Sequence, residues 1–192
     1  MTQSMTNEPL KGLKVAILVT DGFEQVEMAR PRRALQEAGA QAQIVSPMAK
    51  RVRAWKFGEW GDWFAVDVPL DQAEPEDFDA LLLPGGLVSL DVLRIQPKAM
   101  AFAKAFFDAD KPVAAICRGP WTITEIHAAQ GRRLTSCSSF QADLRNAGAE
   151  WVDEPVVVDR NLVTSRSPAE IPIFNREMIK LFSAAQERRH AA

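Results

Sequence analysis

Lys111-Pro-Val-Ala-Ala-Ile-Cys-Arg-Gly-Pro120 is the stretch on which the fold turns. Four apolar residues, Val113 to Ile116, run without alternation straight into Cys117, and turn residues follow before a new apolar-periodic run begins at Trp121. A short continuous apolar run is the pattern of a strand buried on both faces, as in a parallel sheet covered by helices. A strand that ends on a nucleophile at a sharp turn into a helix is a nucleophile elbow. The turn lifts the side chain off the sheet edge, and helix amides and the Arg118 guanidinium are both expected to favour the Cys117 thiolate. A buried structural cysteine is the alternative, because cysteine is among the most buried residue types.

Outward from the elbow, the same strand pattern recurs. Leu13 to Thr20 and Ala80 to Pro84 are continuous apolar runs, and Gln41 to Ser46 is a further strand. Between the first two strands, Asp21 to about Ala38 reads as a turn and a helix that stops at Gly39, broken or kinked at Pro31. Strands alternating with helices at short spacing predict an α/β fold with a mostly parallel sheet and right-handed crossovers. Gln96 to Asp108, the run from Trp121 to near Gly131, Phe140 to Asn146 and Ile171 to about Arg188 read as helices. Arg133 to Ser136, Trp151 to Val158 and Asn161 to Ser165 read as the remaining strands. Residues 52–57 and 63–68 alternate weakly, which predicts a small antiparallel excursion at the sheet edge carrying Trp55, Trp60 and Trp63. Those tryptophans suit either a ligand or partner contact or simple packing under a loop.

Composition narrows the function. The 192 residues fit one domain, over 13–188, with 1–12 as a loose polar leader and 189–192 as a tail. Lys plus Arg is 23 against 25 Asp plus Glu, so no broad basic surface invites nucleic acid. Two cysteines do not make a disulfide framework and fit a reducing compartment. No apolar run approaches membrane-spanning length, and a cytoplasmic protein without cofactor or metal is expected.

The chemistry centres on Cys117. Of two histidines, His190 lies in the polar tail, and His127 follows ten residues after Cys117, about 15 Å along a helix. Neither suits a general base, which must lie within about 3 Å. Glu24 and Glu27, after the first strand, and Asp91, after Gly85-Gly86, remain as acids that loops of an open sheet bring to one edge. A protonated carboxyl there is able to hydrogen-bond the thiolate or relay a proton. For each acid a surface carboxylate near a helix start is the alternative. The glycine pair permits close approach by backbone amides, as an oxyanion site needs, but lacks phosphate-loop spacing.

Val15-Ala-Ile-Leu-Val-Thr-Asp-Gly-Phe-Glu-Gln-Val-Glu27, Leu82-Leu-Pro-Gly-Gly86, Pro112-Val-Ala-Ala-Ile-Cys-Arg-Gly-Pro120, Asp143-Leu-Arg-Asn-Ala-Gly148 and Val163-Thr-Ser-Arg166 together resemble the ThiJ/PfpI superfamily, specifically its PfpI-like branch. The resemblance runs from about Leu13 to Leu181 and implies a flavodoxin-like sandwich akin to class I glutamine amidotransferases. It implies Cys117 as the reactive cysteine, Glu24 as the acid that contacts it, and the amides of Gly86 and Arg118 as the oxyanion site. It further implies a homodimer or higher homo-oligomer, with Asp91 offered across an interface to a histidine after the cysteine. Here that position is Arg118, which cannot act as a base near neutral pH but binds carboxylate or phosphate and is able to pair with Asp91. Thr135-Ser-Cys-Ser-Ser139 departs from the family's aromatic and proline, making Cys137 a candidate to resolve an oxidised Cys117. Three classes follow: a cysteine-dependent enzyme on small carbonyls or damaged-protein adducts, a redox-stress protein, and a scaffold. A peptidase or amidohydrolase, the family's other label, is disfavoured by the missing histidine.

Overall fold

Alternation within each strand decides which helix layer covers it. In a computed structural model, which describes residues 8–191, β1 is Lys14–Leu18 and sends Val15 and Ile17 to one face and Ala16 and Leu18 to the other. All four are essentially inaccessible to water. The two-residue β2, Phe23–Glu24, leads into α1, Gln25–Glu37, which is not split at Pro31; that residue lies on its buried side with Glu27, Met28 and Leu35. Then come β3 (Gln41–Ser46), the hairpin β4 (Arg51–Lys56) and β5 (Glu59–Ala65), β6 (Val68–Pro69) and β7 (Ala80–Leu83). Next are α2 (Leu87–Arg94), α3 (Pro97–Asp108), β8 (Val113–Ile116), α4 (Trp121–Glu125) and β9 (Arg133–Leu134). The chain closes with α5 (Gln141–Asn146), β10 (Glu150–Trp151), β11 (Val156–Asp159), β12 (Leu162–Ser165) and α6 (Ile171–Ala191).

Seven strands form the central sheet in the order β11-β12-β8-β7-β1-β3-β6, parallel except at β11. On one face Val15, Ile17, Leu82 and Ile116 pack with Met28 and Leu35 of α1 and Phe174, Met178 and Phe182 of α6. On the other, Leu18, Leu81, Leu83 and Ala115 meet Phe102 and Phe106 of α3, Ile123 of α4 and Leu144 of α5. Burial of each such large side chain stabilises by about 1.5–3 kcal/mol. The fold is the α/β sandwich expected, and its carboxyl edge, where β1, β7 and β8 end, is where open sheets of this kind build sites.

Several expectations are corrected. The hairpin does not extend the main sheet: β4 pairs in parallel with β2, making a separate three-stranded sheet. Trp60 and Trp63 stay half-exposed, with Arg51 4.1 Å over the Trp63 ring and Trp55 edge-on to Trp60 at 5.4 Å. The helix after the elbow ends at Glu125, and His127 takes φ +57°, which no helix continues through. Residues 8–12 belong to the body: Leu10 is fully buried and its N–H donates to the Ala38 carbonyl at 2.9 Å. Positions 1–7 of the expected leader lie outside the described residues. Residues 189–191 of the expected tail continue α6, and Arg189 pairs with Asp79 at 2.7 Å; position 192 lies outside the described residues.

Candidate active site

Cys117 sits at φ +58°, a left-handed conformation that costs a non-glycine residue energy and persists only where its surroundings enforce it. Those surroundings are visible on both sides. The Cys117 N–H donates to the Ser165 carbonyl at 2.9 Å, and the Cys117 carbonyl accepts the Cys137 N–H at 2.9 Å. The Gly119 N–H donates to Ile116 O at 2.8 Å and closes the turn. A side chain at Gly119 would place its Cβ 2.1 Å from the Leu83 carbonyl, so only glycine lets the turn pack against β7. The expected elbow is therefore present, although α4 begins four residues beyond the thiol.

The acid at the thiol is Glu27, and not Glu24 as the resemblance implied. Glu27 is 1% exposed, and its Oε2 accepts the Gly85 N–H at 2.9 Å. A Cβ on Gly85 would lie 2.2 Å from that oxygen, 3.3 Å from the Cys117 Cβ and 3.2 Å from the Arg118 amide nitrogen. The missing side chain of Gly85 is what lets carboxyl, thiol and amide meet. Glu24 ends β2, where its N–H donates to Gly85 O at 3.0 Å. Its own carboxyl lines a separate hollow of about 260 Å³ with Arg30, Lys56 and Phe57. A signal for Glu27 was available in the sequence: Glu27, Pro31 and Leu35 share one helical stripe at i, i+4 and i+8.

Burial raises the Glu27 carboxyl to about 8, with the Glu24 charge adding to the rise against hydrogen bonding from Cys117 and Gly85. Glu27 is thus mainly protonated at neutral pH. The Cys117 thiol is also pushed up, first by its hydrogen-bonding interaction with Cys137, then by burial and by Glu27. Cys137 is lowered by that same interaction, helped by the Ser139 hydroxyl, 3.3 Å from its sulfur, and by the Arg118 charge. Glu27, Cys117 and Cys137 form a chain that holds one negative charge most easily at the Cys137 end. The Arg118 charge acts on this chain at Cys137.

Arg118 lies with its guanidinium 5.2 Å from the Phe140 ring centroid. Asp91 is exposed on α2 and does not meet Arg118 within the chain. Gly86, at φ +116°, is a glycine because a Cβ would lie 2.5 Å from Phe23 Cα and 2.7 Å from Glu24 N. Its N–H and that of Arg118 have no backbone acceptor among the described residues, which leaves both free for an oxyanion. His127 sits apart, in a polar hollow with Arg94, Trp121 and Asp143. Among the described residues no group of three or more His, Cys, Asp or Glu side chains is arranged to hold a metal ion. No described helix is long and apolar enough to cross a membrane.

A family model described as DJ-1/PfpI matches residues 13–181. The chain belongs to the DJ-1/PfpI family. It is 43% identical to an uncharacterized protein of Staphylococcus haemolyticus (strain JCSC1435) over 173 residues, 89% of this chain and 98% of that one. It is 39% identical to a deglycase of Thermococcus kodakarensis over 169 residues, 88% of this chain and 99% of the relative. Among solved structures it resembles the two-domain DJ-1/ThiJ/PfpI-like and ferritin-like protein of Anabaena variabilis, with TM-score 0.82 and 31% identity over 88% of this chain and 47% of that longer one. Schizosaccharomyces pombe DJ-1 shares the fold, with TM-score 0.78 and 20% identity over 92% of this chain and 98% of its own. Family and sheet topology together identify the sandwich as flavodoxin-like.

Proposed function

We propose that this DJ-1/PfpI member is a cysteine-dependent enzyme acting on small reactive carbonyls, or on the adducts they form on proteins, in the manner of a glyoxalase or deglycase. The carrying observation is the strained Cys117 held against the buried, protonated Glu27. The deglycase relative supports the substrate class. In this reading the Cys117 sulfur adds to an aldehyde carbon while its proton passes to the Cys137 thiolate. The free amides of Arg118 and Gly86 hold the oxyanion, and Glu27 gives it a proton. Glu27, now a carboxylate, takes the proton from the carbon that carries the sulfur and the new hydroxyl and returns it to the former ketone carbon beside it. The hydroxyl proton passes to the former ketone oxygen, leaving a thioester. Water then releases a 2-hydroxy acid and regenerates the thiol, so methylglyoxal plus water becomes lactate. A peptidase reading lacks a histidine base at the elbow.

The reading includes self-association. Leu87, Val88, Val92 and Ile95 expose an apolar face around Asp91, and a second copy is the partner that the family resemblance implies.

The test is methylglyoxal consumption with lactate detection from about pH 6 to about pH 9, on the wild type and Cys117→Ala in parallel. Lactate should depend on Cys117 and fall on the alkaline side near pH 8 as Glu27 loses its proton. Equal lactate from both proteins, or none above buffer, removes the carbonyl reading.

A further inference from the structure

The elbow carries a charge that no described acid neutralises. Arg118 follows the thiol directly and its backbone is pinned: its carbonyl accepts the Trp121 N–H at 3.0 Å, and its amide nitrogen would lie 3.2 Å from a Cβ on Gly85. The side chain is half-buried, with its guanidinium carbon 5.2 Å from the centroid of the buried Phe140 ring. Phe140 is held in turn, because the Trp121 ring lies 5.0 Å from it, tilted by 31°, and Arg94 stands 4.1 Å over Trp121. The two ends of this column differ. Arg94 is neutralised by Glu125 at 2.5 Å, whereas among the described residues no carboxylate and no hydrogen-bond acceptor meets the Arg118 guanidinium. A guanidinium attracted to an aromatic face keeps its N–H fork unused, and that fork takes a carboxylate through two parallel bonds.

We propose that the Arg118 side chain is a carboxylate-binding subsite beside Cys117, and that the preferred substrates are 2-oxoaldehydes carrying an acid on a short tether. This rests on the carbonyl reading and names its substrate class. The surrounding charges suit an anionic ligand. Glu27, the acid at the thiol, is buried and mainly protonated at neutral pH, so it does not repel a carboxylate. The Arg118 charge also favours a negative Cys137, but no hydrogen bond runs from the guanidinium to that sulfur, whose hydrogen-bonding neighbour is the Ser139 hydroxyl. The fork is therefore open to a ligand. One residue supplies both ends of the recognition: its amide faces the oxyanion, and its guanidinium takes the acid of the same molecule, which fixes the direction in which the dicarbonyl enters.

A molecule of this class is 4,5-dioxopentanoate, in which a short methylene tether separates the oxoaldehyde from the carboxylate. Its aldehyde carbon is oxidised and its ketone carbon reduced within one molecule, as with methylglyoxal, so no external oxidant or reductant enters. The dioxopentanoate plus water becomes 2-hydroxyglutarate and a proton. The distal carboxylate takes no part in that exchange. It contributes binding, and a charge-assisted pair at a half-buried guanidinium is expected to raise kcat/KM about ten- to a hundredfold over a neutral analogue.

Two ratios test this, and both cancel any effect of Arg118 on the ionisation of the thiol. Iodoacetate and iodoacetamide differ as carboxylate against amide and meet the same thiolate, so their relative rates at Cys117, assigned by peptide mapping, report the anion subsite without turnover. The iodoacetate-to-iodoacetamide ratio should fall about tenfold or more in Arg118→Gln. Arg118→Lys, which keeps the charge without the fork, should fall between. In parallel, kcat/KM for 4,5-dioxopentanoate relative to methylglyoxal should favour the acid in the wild type and lose that preference in Arg118→Gln, with native melting checked for each variant. An alkylation ratio unchanged by Arg118→Gln overturns the proposal, as does turnover in which the wild type does not favour the acid. So does an alkylation ratio that rises only in Asp91→Asn, which would mean that this acid already holds the fork when copies associate. Absence of turnover with either substrate, while the alkylation ratio still depends on Arg118, keeps the subsite and removes only the carbonyl reading on which the substrate class rests.

Discussion

Replacing Glu27 by Gln keeps an acceptor for the Gly85 N–H and removes the proton that the fold holds. In the folded protein burial raises this carboxyl from an ordinary 4.5 to about 8. Between those values the native state binds a proton that the unfolded state has released, so wild-type stability falls as pH rises. The slope is up to about 1.4 kcal/mol per pH unit, and across the window the loss reaches on the order of 5 kcal/mol at most. Below about pH 4.5 both states are protonated and the penalty vanishes. Cys137 works in the opposite sense at higher pH, because its folded value is lowered. It is present in both proteins, so comparing them removes its contribution to first order. Thermal unfolding of the wild type and Glu27→Gln from about pH 5 to about pH 8 gives the difference directly. At 2–4 °C per kcal/mol for a chain of this size, the advantage of the Gln variant should widen by roughly 10 °C or more across that range. Any fixed cost of burying the amide shifts every point equally. A melting difference that stays constant over this range refutes the claim that Glu27 is held neutral.

Two substitutions test the frame around the site. Gly119→Ala drives a methyl to 2.1 Å from the Leu83 carbonyl and should cost about 3 kcal/mol, read as a melting point lower by roughly 6–12 °C; an unchanged melting point shows that the elbow is not packed as described. Leu10→Ala empties a fully buried site and should cost about 2–5 kcal/mol in urea unfolding, whereas a loss under about 1 kcal/mol would return residues 8–12 to the status of a leader.

What was legible in the sequence was whatever burial on both faces had written there. β3 and β8 occupy Gln41–Ser46 and Val113–Ile116 as expected, because strands covered by two helix layers need continuous apolar runs and stop where those runs stop. Helix α2 was not read. Its eight residues expose Leu87, Val88 and Val92 while burying Leu90 and Leu93, so no polar face marks the period. The antiparallel pairing of β4 and β5 was legible, but its attachment to β2 was not, since a two-residue strand carries no pattern. At the site, the elbow was visible as strand, nucleophile and glycine. The choice between Glu24 and Glu27 depended on which way one helix turned, and a resemblance read along the chain does not carry that rotation.

The hydrogen bond from the Cys117 N–H to the Ser165 carbonyl has a consequence for how the protein is made. Strand β8 gains its β12 neighbour, with Val113 beside Leu162, only when residues nearly fifty positions later have been added. A ribosome delivers the chain from its N-terminus, so β1, α1, β3 and β7 can begin to associate while β8 still lacks that edge. The left-handed turn at Cys117 therefore locks late, after almost the whole domain has emerged. A truncated or stalled chain carries the same cysteine in an ordinary conformation, with an ordinary thiol.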